Sequence, residues 1–204
     1  MNTGLGSLTL LKSRLLPAQA VAQTDQDGAI TLLGLGVARW FEQLCDRRFD
    51  RVEGDIYLTR SDRTYVVVPR YPLETVTGLD WLLIDSNAGA WMPSGLPYLL
   101  FPHSGLIDFA EAIGTRDMQL RVTYTGGYWW DQTEDNSGVL PTGAFPLPND
   151  LQYAWLEQAA FLFERRNKLG LEKITHNGTF TVAPADLLPH VSRILASYRR
   201  NSLT

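Results

Sequence analysis

The chain has 204 residues, 45% of them hydrophobic and 20% charged, with a formal net charge of -4. That length suffices for one substantial core, and the acidic balance argues against a protein that grips nucleic acid by neutralising phosphates. No run approaches the roughly 18 apolar residues of a membrane span, and Met1 to Leu16 lacks the apolar stretch and small-residue cleavage site of a secretory signal.

The first third reads as helical. Leu8, Leu11 and Leu15 share one face of a short helix that Pro17 ends, and a polar loop follows over residues 23–28. From Thr31 to Arg48, apolar residues Leu33, Val37, Trp40, Phe41 and Leu44 recur at helical spacing. Gly34 and Gly36 weaken the early turns, so the firm helix is expected from about Val37 onward. Cys45, the single cysteine, excludes an intrachain disulfide and reads as a small buried hydrophobe.

Between Val52 and Tyr128 the pattern changes to short strands. Ile56 to Leu58 and Tyr65 to Val68 are aromatic and β-branched, with a polar turn at Ser61, Asp62 and Arg63 between them. Pro69 and Pro72 mark an edge or a strand-to-strand crossover. Thr75 to Ile84 is expected to be a pair of strands. Met118, Leu120, Val122 and Tyr124 alternate with polar residues, the signature of a half-buried strand, which Gly126 and Gly127 stop.

Residues 128–147 make a long loop, opening on Tyr128, Trp129 and Trp130 and continuing acidic and rich in glycine and proline. It is expected to be mobile in the free subunit and ordered by a partner. Helix returns at Pro148, Asn149 and Asp150, with Leu151, Ala154, Trp155, Ala159, Leu162 and Leu169 on the buried face and Gly170 at the end. A last short helix opens at Pro189 and places Val191, Ile194, Leu195 and Tyr198 on one stripe.

In this order, these pieces resemble the head-to-tail connector (neck adaptor) family of tailed bacteriophages. The pieces are Leu8 to Leu15, the helix ending in Cys45-Asp46-Arg47-Arg48-Phe49, the segment Val68-Pro69-Arg70-Tyr71-Pro72, and the strand closing in Tyr124-Thr125-Gly126-Gly127-Tyr128. Leu147 to Leu151 leading into Ala159 to Arg166, and Leu188 to Arg200, complete the set. The similarity covers nearly the whole chain and is one of pattern. It implies an α+β, mainly α fold over residues 1–204: a small helical bundle (1–50 and 148–200) carrying a β-rich insertion (52–127) and the long loop 128–147.

The resemblance further implies a structural virion protein. It would form a ring with itself, a dodecamer, seated beneath the phage portal protein and above a tail-proximal neck or tail-terminator protein. Genome DNA would pass through without specific binding, since an anionic wall repels phosphate. The protein would be made in the host bacterial cytoplasm and end in the virion neck, without contact to a membrane. Residues 80–117 and 128–147 exceed the shorter members of that family, and what they contact does not carry over.

No catalytic or metal site and no cofactor is expected. His103, His176 and His190 are far apart in the sequence, Gly34-Leu35-Gly36 lacks a third glycine, and Asp131, Glu134 and Asp135 read as a solvated acidic turn. Asn177-Gly178-Thr179 is formally a glycosylation sequon, without meaning in a protein that is not secreted.

Partner contacts are expected from Trp129 and Trp130, which point to opposite sides of an extended segment and cannot share one core. They are also expected from the C-terminal stripe, Val191, Ile194, Leu195 and Tyr198, with Arg193, Arg199 and Arg200 at its rim. Folding of that stripe back onto the helix beginning at 150 is the competing arrangement. A second function class is a carbohydrate- or peptide-binding module of a virion, in which Trp91, Tyr98, Phe101 and the Trp129–Trp130 pair form one stacking platform.

Overall fold

The computed structural model describes residues 3–60, 63–83, 90–111, 118–133, 137–166 and 187–200, and the backbone of 174–176 and 179–181. The turn residues Ser61 and Asp62, the strand end at Ile84, Glu134 and Asp135, Leu169 and Gly170, the sequon's Asn177 and the His176 side chain lie outside the described residues. The chain forms two compact units. A helical unit comprises Met1–Cys45, Trp130–Val139 and Leu147–Arg199, and a β unit comprises Asp46–Trp129, Leu140–Pro146 and Arg200–Thr204.

The helical unit contains α1 (Leu8–Leu15), α2 (Asp27–Cys45), α3 (Asn149–Arg165) and α4 (Pro189–Ala196). The side chain of Ser7 caps α1 by accepting from the Leu10 amide at 3.2 Å, and Pro17 forces the preceding residue out of helix. Helix α2 begins well before the expected Val37. Gly34 does not interrupt it, because its missing side chain makes room for close neighbours: an added Cβ would lie 2.5 Å from the Thr3 carbonyl oxygen and 2.8 Å from Leu11. The same residue's carbonyl accepts from Trp155 Nε1 at 2.9 Å. The low helix propensity of glycine, about 1 kcal/mol, is outweighed by the packing it permits.

Helices α1, α2 and α3 pack on one another, and Leu11, Ile30, Phe41, Leu151 and Trp155 are fully buried between them. Lys12 is also buried, its Nζ 2.6 Å from the Asp27 carboxylate that opens α2. Trp155 is core as expected, whereas Trp40 is only half-buried. A short antiparallel hairpin, formed by two strands at Ile174–His176 and Thr179–Thr181, follows α3 in sequence.

The β unit holds β1 (Val52–Thr59), β2 (Tyr65–Val67), β3 (Leu73–Leu83), β4 (Met92–Pro93), β5 (Tyr98–Phe101), β6 (Leu106–Phe109) and β7 (Met118–Gly126). They form one sheet of order β1-β7-β3-β4 and a second of order β2-β6-β5. The chain passes from the second sheet to the first through Pro69 and Pro72, so these prolines do mark a crossover. The segment expected to be two strands is instead one long strand, β3, irregular between Leu73 and Thr75 and between Val76 and Gly78. Alternation in β7 is as expected: Leu120, Val122 and Tyr124 point inward, where they meet Val66, Ile107 and Phe109 of the second sheet and Val68 just after β2. One core lies between the sheets, so their outer faces look in opposite directions.

Two further short strands, β8 (Tyr128–Trp129) and β9 (Phe145–Pro146), pair in parallel and tie the ends of the long loop together. Among the described residues, those in helices only slightly outnumber those in strands. The fold is therefore mixed α and β, with several helices and a multi-stranded insertion, and the expected helical predominance is small. Strands β4, β5 and β6 add to the strand content within 92–109, beyond the expected strands of Thr75 to Ile84 and in a stretch whose pattern singled out no strand.

Candidate interaction surfaces

The C-terminal stripe is used inside its own unit. Helix α4 packs against α3 and α2, Val191 and Leu195 are fully buried, and Cys45 Sγ lies 3.5 Å from the Leu195 carbonyl oxygen. The buried Gln158 of α3 accepts the Leu188 amide at 3.0 Å and fixes where α4 starts. Tyr198 donates to Asp150 at 2.6 Å. Val191 and Leu195 are thus core rather than partner contacts, because an eight-residue helix keeps its form only by burying its apolar side. Arg193 and Arg199 are exposed and Ile194 is half-buried. Arg200, in the β unit, is half-buried and donates to the Val67 carbonyl.

The adjacent tryptophans separate as extended geometry requires. Trp129 is half-buried in β8 of the β unit, and Trp130 belongs to the helical unit and is buried. Trp130 therefore is not a surface anchor. Downstream, Asp131 acts as a turn brace. Its Oδ1 accepts from the Thr133 amide at 2.8 Å and its Oδ2 from the Gly138 amide at 2.7 Å.

The platform of the binding-module reading does not assemble. Trp91 sits with the Arg121 guanidinium 4.6 Å from its ring, and Arg121 is on the outer face of the first sheet. Phe101 projects from the outer face of the second sheet, and Tyr98 leans on the core residue Phe109, ring centroids 6.4 Å apart. Aromatics on opposed faces cannot hold one ligand.

Among the described residues, two edge strands of the β unit each carry a pair of exposed apolar side chains at alternate positions. On the edge strand β1, Ile56 and Leu58 are 57% and 49% exposed, while Tyr57 between them packs inward. They lie opposite Thr123 and Arg121 of β7, on the outer face. On the edge strand β5, Leu99 and Phe101 are 67% and 46% exposed, while Leu100 packs inward. Across from them on the same face are Asp108 and Leu106 of β6, then Tyr65 and Val67 of β2. Single exposed apolar side chains are ordinary, but paired rows on free sheet edges are the kind of surface that soluble proteins cover. Sequence pattern missed them because Tyr98-Leu99-Leu100-Phe101, apolar throughout, gives no alternation to say which side is inward.

Buried charge serves the frame of the β unit. Arg70 bonds Asp50 and, at 2.8 Å, Asp55, which also accepts from the Tyr124 hydroxyl at 3.1 Å. Burial, and then the Asp55 carboxylate, push the Tyr124 hydroxyl well above its ordinary pKa. The buried Arg47 guanidinium stacks on the Tyr71 ring at 3.5 Å and donates to the Tyr71 carbonyl. Among the described residues, no three His, Cys, Asp or Glu side chains gather as a metal site would require, and no helix is long and apolar enough to cross a membrane.

No known protein family matches the chain, nor does any curated protein. Solved structures do. One is a chain of the neck of an empty gene transfer agent particle, computed with C6 symmetry: TM-score 0.60 at 15% identity, over 97% of this chain and 90% of that one. Another is a chain of the virion of a native gene transfer agent particle: TM-score 0.59 at 16% identity, over the same shares. The fold is shared with chains of such particles. That likeness spans the helical unit and the β unit alike, and at this identity it speaks for the fold.

Proposed function

We propose that the chain is a structural subunit of a virion neck, an adaptor ring that joins the portal to the tail and performs no chemistry. The observation that carries this reading is the whole-chain likeness to a chain from the neck of a gene transfer agent particle. Copies of the chain form the ring, a dodecamer, with the portal protein above and a tail-proximal neck or tail-terminator protein below. The genome passes through it, and with a net charge of -4 per copy the ring does not bind duplex tightly. Arg193, Ile194 and Arg199, the outward part of the C-terminal segment, serve as the portal contact, with Trp129 and Arg200 as further contacts to neighbours. The protein is made in the host bacterial cytoplasm and resides in the virion neck.

Electron microscopy of the purified protein, alone and mixed with portal, tests the reading. Rings in either sample, coaxial with the portal in the second, are expected. A chain that stays monomeric in both overturns it.

A further inference from the structure

The ring reading leaves open which surfaces of neighbouring copies meet, and the β unit carries two apolar faces that its own core does not use. We propose that the outer face of β1 in one copy packs on the outer face of β5 in the next, a head-to-tail contact between copies of this chain. The proposal rests on the ring reading and names its contact.

Four observations lead there. The rows Ile56/Leu58 and Leu99/Phe101 are both pairs at alternate positions of edge strands, so each presents two apolar side chains at one spacing. They lie on the outer faces of two sheets that share a single core and so look in opposite directions. The rows differ in residues and setting. A two-fold contact sets one patch against itself and leaves the other bare, whereas a head-to-tail contact covers both and repeats from copy to copy.

Charge supplies the fourth. The β1 row continues into exposed Arg60, two positions beyond Leu58, and Arg60 has no ion-pair partner among the described residues. Asp108 stands directly across from Leu99 on the β5 face, also without an ion-pair partner among the described residues. Setting Leu58 of one copy against Leu99 of the next brings these opposite charges to the same rim.

The test uses the full-length protein in sedimentation velocity and negative-stain microscopy. Ile56→Lys and Leu99→Lys change outward side chains, and circular dichroism checks that each variant folds. Each is expected to weaken assembly by about tenfold or more, as loss of a central apolar contact does. Mixing the two leaves one intact junction between unlike copies, so a 1:1 heterodimer is expected and no ring. Arg60→Asp and Asp108→Arg singly weaken assembly, and the double variant regains it. Wild-type rings together with lysine variants that assemble unchanged overturn the contact while sparing the ring reading. Swapped charges that fail to rescue count against the register, and therefore against the contact as stated. Wild-type protein monomeric at hundreds of micromolar, alone and with portal, overturns both.

Discussion

In the helical unit most of the fully buried side chains are apolar, Trp155, Phe41 and Leu11 among them, with Gln158 a polar exception, and Gly34 lets the helices close on them. The β unit has an apolar core as well, but its margin is held by charge: Arg70 on Asp50 and Asp55, and Arg51 on Glu74 at 2.7 Å. The difference follows from geometry. A helix offers a stripe, and turning four stripes inward buries most of the bundle's apolar surface, with Leu32 and Tyr153 left outside singly. A sheet has two faces, and burying one leaves the other outside whatever it carries. The helical unit thus leaves only scattered apolar side chains outside, such as Leu32 and Tyr153, while the β unit sets Ile56 beside Leu58 and Leu99 beside Phe101 in rows on its edge strands.

The sharpest break of that comparison is removal of residues 188–204. Because Val191 and Leu195 are fully buried, the truncated chain is expected to lose cooperative unfolding or to aggregate, each lost side chain costing on the order of 2–5 kcal/mol. Differential scanning calorimetry and size-exclusion chromatography read it. A soluble, two-state truncation would return the stripe to the portal surface.

Trp155→Ala should come next, a destabilisation of about 3–5 kcal/mol in urea unfolding, from the cavity and from the lost bond to the Gly34 carbonyl. A change below about 1 kcal/mol would mean that the bundle is not closed around this ring.

The smallest effect belongs to the charged margin. Tyr124 is neutral in the fold, held so by burial and Asp55, whereas in the unfolded chain it ionises near pH 10. Above about pH 10 the unfolded state therefore binds fewer protons than the folded one, and stability falls as pH rises; below that it is unaffected by this group. Tyr124→Phe should cost about 1 kcal/mol at neutral pH for the lost hydrogen bond and flatten the alkaline decline. Tyr71, also raised by burial, leaves a residual slope. Chemical denaturation from about pH 8 to 11 measures both, and an unchanged alkaline slope would remove Tyr124 from the account.

Local pattern was enough for α1, α3, α4 and β7, where 3.6- or 2-residue periodicity is clean and Pro17, Pro148 and Pro189 punctuate it. It was enough, too, to place Cys45 and Trp155 inside and to order the chain as helices around a strand-rich insertion. It gave α2 too late a start, since glycine propensity is a local quantity and the contact of Gly34 with Thr3 and Trp155 is not. It read the apolar stripe of α4 correctly but had no means to say where it goes. A stripe looks the same whether it meets the chain's own α2 and α3 or another protein, and only the partner's position in space distinguishes them. For β5 the sequence is apolar on both sides, so which of its residues face solvent was decided by the pairing with β6 and by the core that β7 supplies from the opposite sheet. The sequence by itself determined the helices α1, α3 and α4, the strand β7 and how apolar each segment of the chain is. Tertiary structure alone decided which apolar faces are already covered, because burial depends on contacts between residues far apart in the chain.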